Sequence, residues 1–244
     1  AKAWDDYEWR SQRAESSPPR FPMEMWSGDS LAGRSILLHC EQGLGDTLQF
    51  VRYAELIRHQ GGETILESPP ALRAILATCP GIDRFVERGQ PLPPFHAHAP
   101  LLSLPRIFRT TVDSIPWSGP YLSADAQRAE HWRAQLGPRT KRRIGLAWQG
   151  NPNNRYDAAR SFRLTDLAPL ANIPDIQFVS LQRGFGAEQL RQPHRLGEVV
   201  EFDDEFDRAA GAFVDTAAVM TQLDLVITAD SALAHLAGGL GVPA

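Results

Sequence analysis

The chain has 244 residues, 43% of them hydrophobic, and a formal net charge of -4, so it is long enough to bury a substantial core as one large domain or two small ones. The acidic balance argues against a nucleic-acid-binding surface, because such surfaces are usually basic. The sequence has no apolar run near the ~20 residues of a membrane span and no signal peptide at its start, so we predict a cytoplasmic globular protein.

The first half alternates between predicted strands and helices. Residues 1–34 show no clear period and are interpreted as an irregular lead-in, with one helical turn from Trp4 to Trp9. The predicted strands are 35–39, 63–67, 83–87 and 95–99, and the predicted helices are 47–59, 70–78 and 103–108. Residues 112–122 contain two prolines and a glycine, which indicates an interdomain linker.

The second half repeats this alternation. Its predicted strands are 143–148, 178–181, 199–202 and 225–228, and its predicted helices are 124–136, 214–223 and one that begins at Ser231. Strands separated by helices favour parallel sheets. We therefore predict an α/β protein with a first domain at 35–122 and a second domain at 123–244.

The cysteines and histidines do not predict a metal site. Cys40 and Cys79 lie in apolar surroundings, which indicates small buried thiols in a reducing compartment. His96 and His98 alternate along a possible strand, but no third ligand lies near them in the sequence. We therefore predict neither a metal nor a cofactor.

The segment from Glu41 to Asp46 is the first candidate site. Gly43 and Gly45 allow the chain to turn sharply between a strand and a helix. Asp46 is then predicted at the helix N-terminus, at the strand edge where open α/β sheets bind ligands, so its carboxylate could act as a general base. The alternative is a purely structural cap, because Asp is a favoured N-cap and Gln49 completes a capping-box-like pair.

The strand at 225–228 leads to a second candidate site. Asp230 or Ser231 is predicted to cap the following helix, whose first-turn N–H groups and dipole suit a phosphate or pyrophosphate. His235 lies one turn further on. Glycines at 238, 239 and 241 indicate close packing or a nearby ligand. The alternative is a capped core helix that carries a hydrogen-bonded histidine.

The loop after strand 143–148 is the third candidate. Its polar and turn-forming residues are Trp148, Gly150, Asn151, Arg155, Arg160 and Ser161. Such a loop can donate amide and guanidinium hydrogen bonds to phosphate, and Gln182 follows the next strand in the same way. The alternative is a solvated surface loop. Because these strand ends should share one sheet edge, we predict that they face one crevice.

Four stretches together resemble glycosyltransferase family 9, which contains the lipopolysaccharide heptosyltransferases. They are 37–53, 145–152, 178–182 and 224–238. The resemblance covers residues 24–244 and is closer to the transferase-like domain that follows tetratricopeptide repeats in bacterial proteins. It implies a GT-B architecture, with two Rossmann-like domains facing a cleft: an acceptor domain at 35–122 and a nucleotide-sugar donor domain at 123–244.

The resemblance also implies a metal-independent, inverting transfer from a nucleotide-diphosphate sugar to the hydroxyl of a glycan, lipid or protein. Asp46 corresponds to the family's proposed general base, and Asp230, Ser231 and His235 fall in its donor-binding segment. Arg160 lies near a position where heptosyltransferases have a phosphate-binding lysine, and this difference leaves the donor open. GT-B enzymes continue with another strand and helix, so the second domain looks incomplete at Ala244.

Two other functions remain open from the sequence. The chain could be a non-catalytic module that binds nucleotide or a partner beside tetratricopeptide repeats. It could also be a GT-B epimerase acting on a nucleotide sugar, which would need further carboxylates that the sequence does not identify.

Overall fold

The computed structural model describes residues 2–12 and 21–244. The chain divides between Leu122 and Ser123 into two compact units. Each unit is built on a four-stranded parallel sheet, which confirms the predicted α/β class. We describe the two units separately.

The first unit has its fully buried strand inside the sheet. Its strands are β1 (Ser35–His39), β2 (Glu63–Ser68), β3 (Arg84–Glu87) and β4 (Ala97–Pro100). Its helices are α1 (Lys2–Tyr7), α2 (Leu44–Phe50), α3 (Ala54–His59), α4 (Arg73–Leu76) and α5 (Leu104–Ile107). The strand order is β3-β2-β1-β4. Every residue of β1 is buried, as expected for a central parallel strand covered on both faces.

The second unit has the same plan. Its strands are β5 (Arg142–Ala147), β6 (Ile176–Ser180), β7 (Val199–Val200) and β8 (Leu225–Thr228). Its helices are α6 (Ala126–Gln135), α7 (Asp157–Arg160), α8 (Val214–Met220) and α9 (Ala232–Leu240). The order is β7-β6-β5-β8. The buried side chains of Leu146, Trp148 and Phe178 form part of its core.

Most predicted elements are present, with changes at their ends. The helix predicted at 47–59 begins three residues earlier, at Leu44, and contains a 3₁₀ segment at Val51–Tyr53. The strand predicted at 199–202 is only Val199–Val200. The sequence analysis missed α7 and a nine-residue 3₁₀ helix at Leu164–Asn172, whose internal Pro169 cannot donate a backbone hydrogen bond and interrupts the helical pattern.

The first part of the lead-in that was predicted as irregular is helical, over Lys2–Gln12. Beyond the single turn expected there, α1 is followed by a 3₁₀ segment at Glu8–Gln12. Further on, Trp26 and Leu31 are buried, and the Trp26 N–H donates to the carbonyl of His98 in β4 (2.8 Å). Residues 13–20 of the lead-in lie outside the described residues.

Both cysteines are free and buried, which confirms the prediction that they are small buried thiols. Burial raises the pKa of Cys40 to about 11 and that of Cys79 to about 12. Both are therefore protonated and unreactive at neutral pH.

None of the helices in the described ranges is long and apolar enough to cross a membrane.

His39, the last residue of β1, is a fully buried titratable group. Its Nε2 lies 3.3 Å from Nδ1 of His98, and the ring of Phe21 packs against both imidazoles. Burial, with the nearby charges of His98, Arg88 and Arg10, lowers the pKa of His39 to about 3. The folded protein therefore keeps this imidazole neutral in conditions where an unfolded chain would protonate it.

We expect stability to fall on acidification because of His39. Its pKa is near 6.5 in an unfolded chain and about 3 in the fold, so the unfolded state binds more protons as pH drops from 6.5 towards 3. At pH 5 the loss in free energy of unfolding from this group is about 2 kcal/mol. Urea unfolding at pH 7.5 and pH 5 should show that the free energy of unfolding falls less on acidification in His39→Gln than in the wild type. The exposed His59 supplies the control, His59→Gln, and equal losses in all three proteins would contradict the assignment.

Candidate functional site

The Gly-rich turn holds the carboxylate of Asp46 differently from the sequence prediction. The N-cap of α2 is Gly43, so Asp46 is the third helical residue rather than the cap. Its Oδ2 accepts a hydrogen bond from the Gly43 N–H (2.9 Å), as the third residue does in a capping box. The predicted pairing of Asp46 with Gln49 is therefore wrong, although the carboxylate does take part in capping.

Gly43 provides space rather than an unusual conformation. Its φ of -70° is open to any residue, but a Cβ there would lie 3.3 Å from Oδ2 of Asp46. Gly45 is the second residue of α2 and does not have a positive φ. Neither glycine therefore adopts the left-handed conformation that only glycine accepts easily. Asp46 is half-buried, and within the described chain only its Oδ2 is hydrogen-bonded, so Oδ1 is available to a ligand.

A buried ion network that the sequence analysis missed lies beside this turn. Arg10 donates from Nη2 to Glu41 Oε2 (2.9 Å) and to Ser103 Oγ (2.8 Å), and from Nη1 to Glu8 Oε1 (2.9 Å). Burial raises the pKa of Glu41 against the opposing effect of Arg10. No local pattern could reveal this network, because Arg10 and Glu41 are 31 residues apart in the chain.

In the second unit, the carboxyl ends of three neighbouring strands lie at one sheet edge, since β6, β5 and β8 are adjacent and parallel. Gln182, just after β6, accepts hydrogen bonds at Oε1 from the N–H groups of Trp148 (3.0 Å) and Gln149 (2.9 Å). Its Nε2 donates to the carbonyls of Gln149 and Phe185. The structure therefore brings Gln182 and Trp148 together, but it uses their polar groups to join the two strand ends.

Asp157 organises the loop after β5, and the sequence analysis missed it. This buried carboxylate accepts hydrogen bonds from Gln149 Nε2 at Oδ2 and from Ser161 Oγ at Oδ1 (3.0 Å). The Ser161 hydroxyl in turn accepts from the Gly150 N–H (2.9 Å). A Cβ on Gly150 would lie 2.4 Å from Oδ1 of Asp157, so any larger residue at this position would displace that carboxylate. Gly150 and Ser161 thus hold the loop in shape.

The two arginines of this loop have different surroundings. Nε of Arg160 is buried without a hydrogen-bond partner, and its nearest carboxylate oxygen, Oδ1 of Asp157, is 3.7 Å away. The guanidinium of Arg155 lies over the ring of Tyr156, 4.5 Å from its centroid. Asn151 accepts a hydrogen bond from the Asn153 N–H within the loop (3.0 Å). A buried donor without a partner is uncommon, so Arg160 has capacity for one further acceptor.

Ser231 is the N-cap of α9, and its Oγ accepts a hydrogen bond from the Leu233 N–H. The neighbouring Asp230 is exposed and is not the cap. Of the two residues predicted as possible caps, the structure therefore uses Ser231. His235 is half-buried on the second turn.

The glycines near the end of α9 do not all indicate close packing. Gly241 has a φ of 73° and ends the helix as a left-handed cap. A Cβ on Gly238 would have no atom within 4 Å, so of the two predicted reasons for this glycine, close packing against the protein is wrong and a nearby ligand stays a prediction.

His96 and His98 point to different partners. Nδ1 of His96 accepts a hydrogen bond from the Ser35 N–H (3.0 Å), whereas His98 lies against His39. Among residues 2–12 and 21–244, no group of three or more His, Cys, Asp or Glu side chains could hold a metal ion.

Comparison with known proteins finds one curated relative and several similar structures. No protein-family model matches the sequence. Protein FlbA of Caulobacter vibrioides is 29% identical over 275 residues, which cover 99% of this chain and 44% of FlbA. The chain thus spans less than half the length of this relative.

The similar structures are glycosyltransferases. A family 9 glycosyltransferase of Veillonella parvula has a TM-score of 0.64 at 14% identity, covering 89% of this chain and 81% of its own. The ADP-heptose lipopolysaccharide heptosyltransferase II of E. coli has a TM-score of 0.58 at 12% identity, covering 86% and 83%. The E. coli heptosyltransferase WaaC, with ADP-2-deoxy-2-fluoro heptose, has a TM-score of 0.53 at 13% identity, covering 86% and 87%. The chain therefore has a GT-B-like glycosyltransferase fold.

Proposed function

We propose that this chain is the transferase part of a glycosyltransferase that moves a sugar from a nucleotide diphosphate to an acceptor hydroxyl, with inversion and without a metal ion. The observation that carries the proposal is Asp46. Its carboxylate lies just beyond the carboxyl end of β1, and Oδ2 is held by the Gly43 N–H while Oδ1 has no protein partner in the described chain. This is the sheet edge where α/β proteins bind ligands.

The proposed reaction is a single displacement. Oδ1 of Asp46 removes the proton of the acceptor hydroxyl, and the resulting oxygen attacks the anomeric carbon of the donor sugar. The bond from that carbon to the phosphate oxygen breaks, and the nucleoside diphosphate leaves. Attack from the face opposite the leaving group inverts the anomeric centre. The hydrogen bond from Gly43 orients the carboxylate during this step.

The donor side of the proposed site belongs to the second unit. In the first turn of α9 the N–H groups of Leu233 and Ala234 already donate to Ser231, so an anion would be attracted there mainly by the helix dipole. Arg160 supplies a buried Nε donor that lacks a partner. Together with the exposed Arg155, these donors would stabilise the charge that develops on the departing diphosphate. Asp230 and His235 would line the same segment.

The remaining assignments are part of the same proposal. Residues 35–122 would bind the acceptor, a glycan, lipid or protein, and residues 123–244 the donor. The protein would be a bacterial, cytoplasmic enzyme whose parent chain carries tetratricopeptide repeats. Because the structure of WaaC contains an ADP-linked heptose analogue, ADP-heptose is the first donor to test.

One observation favours a second function, a non-catalytic nucleotide-binding or partner-binding module. The N–H groups of Trp148, Gln149 and Gly150 are all bonded within the protein, so the loop after β5 offers few main-chain donors to a phosphate. Such a module would bind nucleotide without consuming a nucleotide sugar. Donor turnover in the presence of candidate acceptors separates the two functions.

We expect Asp46→Asn to abolish transfer without unfolding the protein. Loss of a general base lowers the rate by about 10²- to 10⁴-fold, whereas the Asn oxygen can still accept the hydrogen bond from Gly43. Asp166→Asn is a matched control, because Asp166 makes the same contact with the Arg163 N–H (2.9 Å) at the start of another helix. Donor consumption and melting temperature should be measured for both. Transfer by Asp46→Asn at the wild-type rate would contradict the catalytic assignment.

We expect Arg160→Gln to weaken ADP binding about 10- to 100-fold, because a hydrogen bond to a charged group contributes roughly 1.5–3 kcal/mol. Titration calorimetry with ADP measures this directly. Arg163→Gln is the control, since Arg163 is an exposed arginine three residues further along the chain. The phosphate site at Arg160 would be refuted by unchanged affinity in Arg160→Gln, or by an equal loss in the control.

A further inference from the structure

The N-terminal helical segment, Lys2–Gln12, lies along the turn and helix that carry Asp46. The ring of Trp4 packs edge-on against Phe50 in α2, with centroids 6.4 Å apart. The hydroxyl of Tyr7 accepts a hydrogen bond from Gln42 Nε2 (3.1 Å), and Arg10 binds Glu41 (2.9 Å).

These three contacts share one face of the segment. Trp4, Tyr7 and Arg10 are spaced three residues apart, and helical residues with this spacing lie side by side. Their partners run in the opposite direction, from Phe50 back to Glu41. The segment therefore contacts the Gly-rich turn along its length, from the residue that enters it to the helix that follows.

The Arg10–Glu41 pair is the buried centre of this contact. The side chains are 7% and 10% exposed, and Ser103 joins the network by accepting from Arg10 and donating to Glu8 Oε2 (3.0 Å). Removing one member of a buried ion pair leaves an uncompensated charge, which is strongly unfavourable. The pair therefore holds the main chain at Glu41 in one place relative to the N-terminal segment.

The same network is not arranged for stability alone. Nε of Arg10 is buried without a hydrogen-bond partner, and an apolar pair of similar shape would avoid that loss. Directly after Glu41, the turn contains the exposed residues Gln42 and Gly43. Gly43 has no side chain to pack, yet its N–H must hold Oδ2 of Asp46. The polar contact between Arg10 and Glu41 fixes the chain where it enters this turn, and so helps to place the Gly43 N–H.

We propose that Arg10 and Glu41 are positioning residues, and that the N-terminal segment braces the Gly-rich turn so that the Asp46 carboxylate keeps its orientation. The catalytic part of this statement rests on the proposed function of Asp46. The mechanical part, that the segment holds the turn, does not depend on it. Residues that precede the first strand thus contribute to the site without touching a substrate.

The test uses the full chain and two variants that act on the pair. Arg10→Met removes the cation and keeps an extended side chain, and Glu41→Gln removes the carboxylate charge and keeps the shape. The control is Arg106→Gln, which breaks the exposed ion pair between Arg106 and Asp5 (2.9 Å). That pair joins the same segment to α5 instead of to the turn.

Amide hydrogen exchange of residues 41–50 is the first readout. We expect exchange in this stretch to rise by at least about tenfold in Arg10→Met and Glu41→Gln through local opening, with exchange in β2 unchanged. Arg106→Gln should leave the turn as it is in the wild type. If Arg10→Met does not fold, the exchange of residues 41–50 in Glu41→Gln tests the proposal with the same expected rise. Unchanged exchange in the folded variants, or an equal rise in the control, overturns the brace.

Turnover is the second readout. We expect kcat to fall at least about tenfold in both variants while KM for the donor stays within about twofold, because positioning acts on the chemical step. A changed KM with an unchanged kcat would overturn the positioning role. If the wild-type chain transfers no sugar with any donor, the proposed function fails, and the exchange experiment still decides whether the segment braces the turn.

Discussion

The parallel pairing of β1 between β2 and β4 is the constraint on which the first unit depends. This strand is buried at all five positions, so the chain must leave the core at the carboxyl edge before it can turn. Cys40 remains buried there, and the first exposed residues are Gln42 and Gly43. The Gly-rich turn therefore lies at the carboxyl edge of the sheet, where open α/β proteins bind their ligands. The strand is buried, so the polar groups that solvent can reach, including Asp46, lie in the turn that follows it.

The second unit meets the same constraint in another way. Its central strand, β5, also ends in a buried residue, Ala147, which the buried Trp148 follows, but the loop after them is held by its own side chains. Asp157 and Gln182 occupy its hydrogen-bonding groups, and few donors are left over. The unpartnered Nε of Arg160 is an exception.

The two candidate sites differ in how far local sequence could predict them. Ser231 was correctly placed as a possible cap of α9, because capping depends on neighbours within three residues. Asp46 was predicted as a possible cap of α2, but Gly43 is the cap and Asp46 is the third helical residue. The roles of Asp157 and of the Arg10–Glu41 pair were not predicted at all. Each depends on side chains brought together by the register of the fold.

The sequence by itself determined the α/β class, the positions of most strands, the Gly-rich turn and the buried thiols, because these follow from hydrophobic periodicity and from interactions between near neighbours. Only the tertiary structure decided that Lys2–Gln12 is helical and packs beside that turn, that Gly150 leaves room for the carboxylate of Asp157, and that His39 is kept neutral beside His98. These features depend on burial and on contacts across 7 to 59 residues of chain. The energy of such contacts depends on desolvation in the packed fold, and it cannot be predicted from the pattern of neighbouring residues.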